Sequence, residues 1–431
     1  MMEILAMTAP SVGDSALRGA AVDRPRRGSI DVHALDIEGW ALGRDLDVVA
    51  VEALVGDGEP APFQFGVPRP DLQDAFPGAP GAASSGFRGA LGPLELPLRF
   101  TIRVRAVLAD GSRSTFAEIA GRRDPLRSRI RPHLHPIALT CIGRTGGNWV
   151  AHLLAQHPEV VAYRPFEYDL RAAQYWVELL RTVARPASYL RSLAPGATSS
   201  DWWIGTDAGV VPFAAEEDLA RWFHGEHIET MADFCHDRID RFYVELAARQ
   251  GRPDARRFVE RFYAAHQSAA TLVELDPETR QVVLVRDFRD VLCSVLAFNA
   301  KRSFDAFGRD MFDSDADYVG HMAERARYLL AAWKDAAHPV ELLRYEDLVR
   351  DPEASLRRVL DFVGVDASST SVQRVLEAAA CETPSMSFHR TTPSASASVG
   401  RWRHDLDPSL RELCEQEVGP IMSEFGYALD S

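Results

Sequence analysis

Apolar and polar positions follow one rhythm in the first quarter of the chain and another after it. Ser29–Val32, Ile37–Ala41, Val48–Val55, Phe63–Val67, Phe87–Leu91, Leu96–Leu108 and Ser114–Ile119 are short runs rich in β formers. Turn pairs such as Asp57-Gly58 and Asp110-Gly111 separate them, and Arg99 to Leu108 alternates in polarity. Runs of this length and spacing predict an antiparallel β-sandwich over residues 29–121. Residues 1–28 mix Ala, Gly, Ser and Asp and end in Arg24, Arg26 and Arg27. They predict a loose tail. Residues 122–135 are basic and contain prolines, which disfavour continuous helix, so the domain boundary is placed there.

Beyond Pro136 the rhythm changes. Ile137–Ile142 is an apolar strand-like run, Gly143–Asn148 a glycine-rich turn, and Trp149–Gln156 has apolar residues at helical spacing until His157 and Pro158 stop it. A second run, Val160–Tyr163, leads to Glu167. Ala172–Leu193 and Glu216–Gln250 read as amphipathic helices, and Arg256–Ala270 continues in the same style. With little strand signal, the block of about 172–275 predicts a helical cap over a site. Val282–Val285 reads as a buried strand before a helix that starts near Asp290. Glu341–Leu343 and the helix Glu353–Gly364 repeat that order. A serine-rich loop, Gly400-Arg401-Trp402-Arg403 and a helix to Phe425 close the chain.

Composition narrows the function classes. The chain has 431 residues, 46% of them hydrophobic, enough for two or three domains with sizeable cores. A net charge of −14 argues against a general nucleic-acid binder, so an anionic ligand needs locally placed arginines. The five cysteines, Cys141, Cys235, Cys293, Cys381 and Cys414, form no CxxC pair. They read as reduced thiols of a cytoplasmic protein rather than as a disulfide or zinc framework. No signal peptide and no apolar run long enough to cross a bilayer is evident.

Strand, glycine loop and helix is the layout of an anion cradle, because main-chain N–H groups and the positive helix end converge on an oxyanion. Arg144, Thr145 and Asn148 supply further donors. Loops that follow neighbouring parallel strands share one sheet edge, which puts Glu167 near the cradle as a general base. A plain turn fits the same stretch, and the Walker A lysine is absent after Gly147. Arg286 at a strand end and Ser294 one turn into the next helix suit the grip of one phosphate, since arginine offers a planar fork. An Arg–Asp network that only shapes the turn is the alternative. Small residues, Gly400 and two arginines beside Trp402 suit closure over an adenine nucleotide; a disordered serine loop with a chance Arg-Trp-Arg is the alternative. His152 and His157 are weaker candidates for the base, and packing is the simpler role for both. Trp40 and the pair Arg69 and Asp71 read as structural, as does Arg344 to Pro352. No metal-ligand spacing occurs.

In this order, the stretches resemble the sulfotransferase family, which uses 3′-phosphoadenosine-5′-phosphosulfate (PAPS). The resemblance covers about Pro136 to Tyr427. G-R-T-G-G-N-W (Gly143 to Trp149) is similar to the family's loop for the 5′-phosphosulfate, which implies Arg144, Thr145, Gly146, Gly147, Asn148 and Trp149 as cofactor contacts. V-R-D-F-R-D-V-L-C-S resembles the 3′-phosphate motif, with Arg286 and Ser294 as the matching grips. S-V-G-R-W-R looks like the loop over the cofactor, which adds Gly400 and Arg401. R-Y-E-D-L and F-V-G-V resemble the family's downstream pattern. Gly147 and Asn148 stand where hydroxyl residues are common, Phe288 replaces a frequent proline, and Arg261 in F-V-E-R replaces a frequent lysine. G-W-A-L-G, R-P-D-L, S-G-F and A-D-G-S in the first quarter resemble an accessory β-domain of bacterial carbohydrate-modifying transferases.

The resemblance implies an α/β fold: a parallel-sheet, P-loop NTPase-like nucleotide-binding core over residues 136–431 plus the N-terminal all-β sandwich domain. It implies in-line transfer of the sulfuryl group from PAPS to an acceptor hydroxyl, with Arg144 stabilising charge and Glu167 taking the proton. A carbohydrate or glycolipid acceptor is expected, and no metal. A P-loop kinase and a catalytically silent carbohydrate-binding protein are the rival classes.

Overall fold

The computed structural model describes residues 1–8, 16–31, 34–56, 58, 60–164, 170–185, 217–263, 268–380 and 384–429. The chain forms two compact units. One comprises Met1–Arg127 and Leu179–Ala232, the other Ser128–Glu178 and Asp233–Ser431.

The first unit is built on β1 (Met2–Thr8), β2 (Leu17–Arg24), β3 (Ile30–Asp31), β4 (Leu35–Gly43), β5 (Val48–Val55), β6 (Ala61–Val67), β7 (Gly86–Leu91), β8 (Arg99–Leu108) and β9 (Arg113–Arg123). They hydrogen-bond as one sheet in the order β2-β4-β7-β6-β5-β8-β9-β1-β3, with every neighbouring pair antiparallel. Period-two patterning explains the strands. In β8, Phe100, Ile102, Val104, Ala106 and Leu108 are buried, while Arg99 and Thr101 face solvent. The sheet curls until β2 meets β9, so its two halves enclose one core, as the layers of a sandwich do.

Residues 1–8 and 16–28 are not a loose tail. β1 pairs with β9 and β2 with β4, and the Met2 side chain is 0% exposed. Met2 and Ile4 are the buried pair of β1, and the pairing slips between Ile4 and Ala6. Arg69 donates to Asp71 and Asp23, consistent with a structural pair, and Trp40 packs on Phe76.

In the second unit, β10 (His135–Cys141), β11 (Val160–Val161), β12 (Arg257–Tyr263), β13 (Arg280–Val285) and β14 (Val340–Arg344) form a parallel sheet ordered β11-β12-β10-β13-β14. Central β10 is buried throughout except at His135, as a strand covered on both faces should be. β13 shows the two faces. Val282 and Leu284 join a core with the helices Gly147–Leu154, Pro352–Val363 and Ser369–Ala379. Val283 and Val285 join another with Phe288–Arg302, Asp315–Lys334 and Pro408–Glu424. Helices on both faces of a parallel sheet give the α/β core.

Arg256–Ala270 is not a continuation of the helical block, because Arg257–Tyr263 is β12, beside the central strand. Glu260, buried in the middle of that run, broke its apolar signature. Its carboxylate accepts from the main-chain N–H groups of Ala173 and Gln174, both at 2.8 Å, and from the Tyr243 hydroxyl. It thereby satisfies orphan donors at the start of the helix Ala172–Val183. Glu217–Arg249 is a single helix. Among the described residues, no helix is long and apolar enough to cross a membrane.

Candidate functional site

β10 ends at Cys141, and the chain turns through Arg144 (φ 67°) and Gly146 (φ 99°) into the helix Gly147–Leu154. The Thr145 hydroxyl closes the turn by donating to the Ile142 carbonyl at 2.8 Å. A Cβ at Gly146 would lie 2.7 Å from the Tyr345 ring. One at Gly147 would lie 2.8 Å from the Cys141 Sγ and 3.3 Å from the Arg261 Nε. The glycines thus let β10, β12 and the residue after β14 approach the loop together. Main-chain N–H groups at a helix start remain available to an anion there.

Arg144 crosses to the next strand–helix unit. Its Nε donates to the Ser294 hydroxyl at 3.0 Å, its Nη2 to the His389 carbonyl at 2.7 Å, and its guanidinium lies 4.5 Å over the Phe298 ring. Burial and the nearby charges of Arg286 and Arg401 push the Arg144 guanidinium down to about 10, so it stays charged at neutral pH.

Arg286 follows β13 and is 4% exposed. Its Nη1 donates to the Arg144 carbonyl at 3.2 Å and its Nη2 to the Ser398 carbonyl at 2.6 Å. Its Nε is buried with no hydrogen-bond acceptor among the described residues. The guanidinium lies 4.6 Å from the centroid of the Tyr345 ring. Among the described residues, the hydrogen-bond partners of Arg144 and Arg286 are thus one hydroxyl and three carbonyls. Arg401 is the exception in the group, donating to Asp405 at 2.6 Å and to Thr391 at 2.9 Å. A buried guanidinium whose hydrogen bonds include no carboxylate is expensive unless an anion joins it, and Asp290 acts on Arg286 through its charge alone.

Ten of the eleven expected site residues are described, and Arg144, Arg286, Ser294 and Arg401 interact across three chain segments. Glu167 lies outside the described residues, as do Trp202, Trp203 and Cys381. The carboxylate of Asp287 is engaged by Arg289 rather than by Arg286, so the Arg–Asp network that shapes the turn also exists, one residue along. His157 is fully buried between the Asp366 carbonyl, the Ser371 hydroxyl and the Glu159 N–H, which is a packing role. His152 is buried as well, and burial holds its imidazole below the usual range.

Two residues of the site were given only local roles in the sequence. Tyr345, first in the Tyr345–Arg350 helix, meets Gly146, supports Arg286, shares a hydrogen bond with the Ser398 hydroxyl at 3.0 Å and packs edge-on against Trp149. Its position just after β14, at the edge where the other loops gather, was the available signal. Asp290, already placed at a helix start, accepts from the N–H groups of Gly400 at 2.7 Å and Trp402 at 3.0 Å.

The family model described as "Sulfotransferase family" matches residues 136–369. The chain belongs to the sulfotransferase family. Carbohydrate sulfotransferase 3 of Mus musculus is 28% identical over 172 residues. That alignment takes in 37% of this chain and 36% of the mouse protein, so the chain matches about a third of that relative's length. Among solved structures, a sulfotransferase domain from the curacin biosynthetic pathway is 17% identical, with a TM-score of 0.37, covering 69% of this chain and all of the other. Mouse sulfotransferase SULT7A1, solved with PAP, is 12% identical, with a TM-score of 0.35, covering 68% of this chain and 89% of its own. The α/β architecture rests on its own strand order and helix layers.

Proposed function

We propose that this sulfotransferase moves a sulfuryl group from PAPS to an acceptor hydroxyl. The observation that carries the reading is the meeting of Arg144, Arg286 and Ser294 at one sheet edge, with an Arg286 Nε–H that has no acceptor there. The donor set fits a bis-anionic nucleotide. Arg144 and the N–H groups from Thr145 to Trp149 hold the 5′-phosphosulfate. Arg286 and Ser294 hold the 3′-phosphate, with Gly400 and Arg401 over it. PAPS supplies the activated sulfuryl group.

In the transition state, negative charge spreads over the sulfonate oxygens and the bridging oxygen of the leaving phosphate. Arg144 and the loop N–H groups stabilise it because they are oriented in advance. We assign the acceptor's proton to Glu167, six residues along the chain from the end of β11, which is parallel to β10 and two positions from it in the sheet. A carbohydrate or glycolipid acceptor is part of the proposal. Its support is the stretch shared with a protein named carbohydrate sulfotransferase 3.

Calorimetric titration with 3′-phosphoadenosine-5′-phosphate (PAP), in parallel with ATP, tests the reading. Micromolar binding of PAP that Arg286→Ala weakens by about a hundredfold is expected, the worth of a buried charge-assisted pair. Preference for ATP, or PAP binding indifferent to Arg286, would overturn it.

A further inference from the structure

Asp290 is fully buried in the first turn of the helix Phe288–Arg302 and belongs to none of the grips assigned above. Its two oxygens take separate main-chain donors, Oδ2 from Gly400 and Oδ1 from Trp402. Gly400, at φ 71°, turns the chain so that both N–H groups reach one carboxylate. The residue between the two clamped amides is Arg401, whose charge acts on Arg144. Further anchors are the Arg401 guanidinium itself, on Asp405 and Thr391, and one contact to either side. The Ser398 carbonyl takes Arg286 Nη2, and the Trp402 indole sits under Arg289 at 3.7 Å.

We propose that Asp290 is a positioning residue: by clamping the amides on both sides of Arg401, it aims that guanidinium at the cradle and so sets affinity for a nucleotide that carries a 3′-phosphate. The inference rests on the sulfotransferase reading for the identity of the ligand. The clamp itself rests on the hydrogen bonds alone. Burial pushes the Asp290 carboxyl up to about 6, Arg286 favours its charged form and Asp287 opposes it. A neutral side chain would be easier to bury, so the carboxylate is a choice of geometry over stability. An asparagine presents one acceptor oxygen where two N–H groups need two.

The test is titration of Asp290→Asn, Arg401→Ala and the double variant with PAP and with adenosine 5′-monophosphate, which lacks the 3′-phosphate. Asp290→Asn should weaken PAP about tenfold and leave the monophosphate within about twofold, the scale of one misplaced charge-assisted contact. In the Arg401→Ala background the Asp290→Asn loss should vanish, because the two act in series. The same loss in both backgrounds, or an equal loss for both nucleotides, would overturn the proposal. Hydrogen exchange on the wild-type protein needs no variant. Residues 396–405 should be as protected as the helix 288–302, and exchange within seconds would remove the clamp. If the wild type binds no PAP while that segment is protected, the sulfotransferase reading fails and the clamp stands.

Discussion

The Tyr345 ring occupies the space that a side chain on Gly146 would need, 2.7 Å from the position of its Cβ. Two motifs about 200 residues apart in the chain are therefore fitted to each other at van der Waals distance, one supplying the turn and the other its wall. Gly146 also has φ 99°, where L side chains are strained. Gly146→Ala should destabilise the protein by about 2–4 kcal/mol and weaken PAP at least tenfold. Urea unfolding and titration measure the two effects, and an unaffected variant would mean that the loop has room to spare.

Tyr345 itself separates two contributions. Tyr345→Phe keeps the ring and loses the hydrogen bond to Ser398, about 1 kcal/mol. Tyr345→Ala also removes the wall of the loop and the support under Arg286, about 3–5 kcal/mol, and should abolish measurable PAP binding. The prediction is the ranking: the phenylalanine variant binds, the alanine variant does not.

At the opposite end of β10, His135 is bonded to Asp276, and that hydrogen bond holds its imidazolium above the usual histidine range. The folded chain then binds the proton more tightly than the unfolded chain does. The stabilisation is complete below about pH 6.5 and is lost as pH rises through the folded value. Urea midpoints should therefore fall from pH 6 to pH 8.5, and Asp276→Asn should reduce that fall while lowering the midpoint at pH 6.

Glu260 acts in the same direction for a different reason. Burial raises its carboxyl to about 7, from an ordinary value of 4.5. Ionisation in the folded state is disfavoured between these values, so stability declines as pH rises through 7. Glu260→Gln removes the titration and leaves one acceptor for the Ala173 and Gln174 amides. The variant should be weaker than wild type at pH 5 and approach or exceed it at pH 8.5. A constant difference across that range would exclude a titrating Glu260.

The parts legible in the sequence were those whose pattern is local. The run Ile137–Ile142, the glycine turn and the run Val282–Val285 with Arg286 at its end were each read from neighbours in the chain, and the structure sets them side by side. β12 escaped because a buried charge is invisible to periodicity when its partners, Ala173, Gln174 and Tyr243, lie in other segments. β2 escaped because Gly19, Ala20 and Ala21 are poor strand formers, and β1 because Met2, Ile4, Leu5 and Met7 show no clean period-two alternation. Tyr345 and Asp290 were seen and given only local roles, in a turn and at a helix start. Their contacts to Gly146 and to Gly400 reach across the chain, and no spacing rule encodes them.

Two of the carbonyls that receive Arg144 and Arg286 belong to His389 and Ser398, 245 and 112 residues further along. During synthesis, the strand, the loop and both arginines leave the ribosome long before those acceptors exist. A nascent chain that stops short of Ser398 therefore has the glycine turn but not the finished cradle, and nucleotide cannot stabilise it until the last segment docks. Ligand-dependent rescue of folding should accordingly be a late event, after β14 and the segment around Gly400 have both emerged.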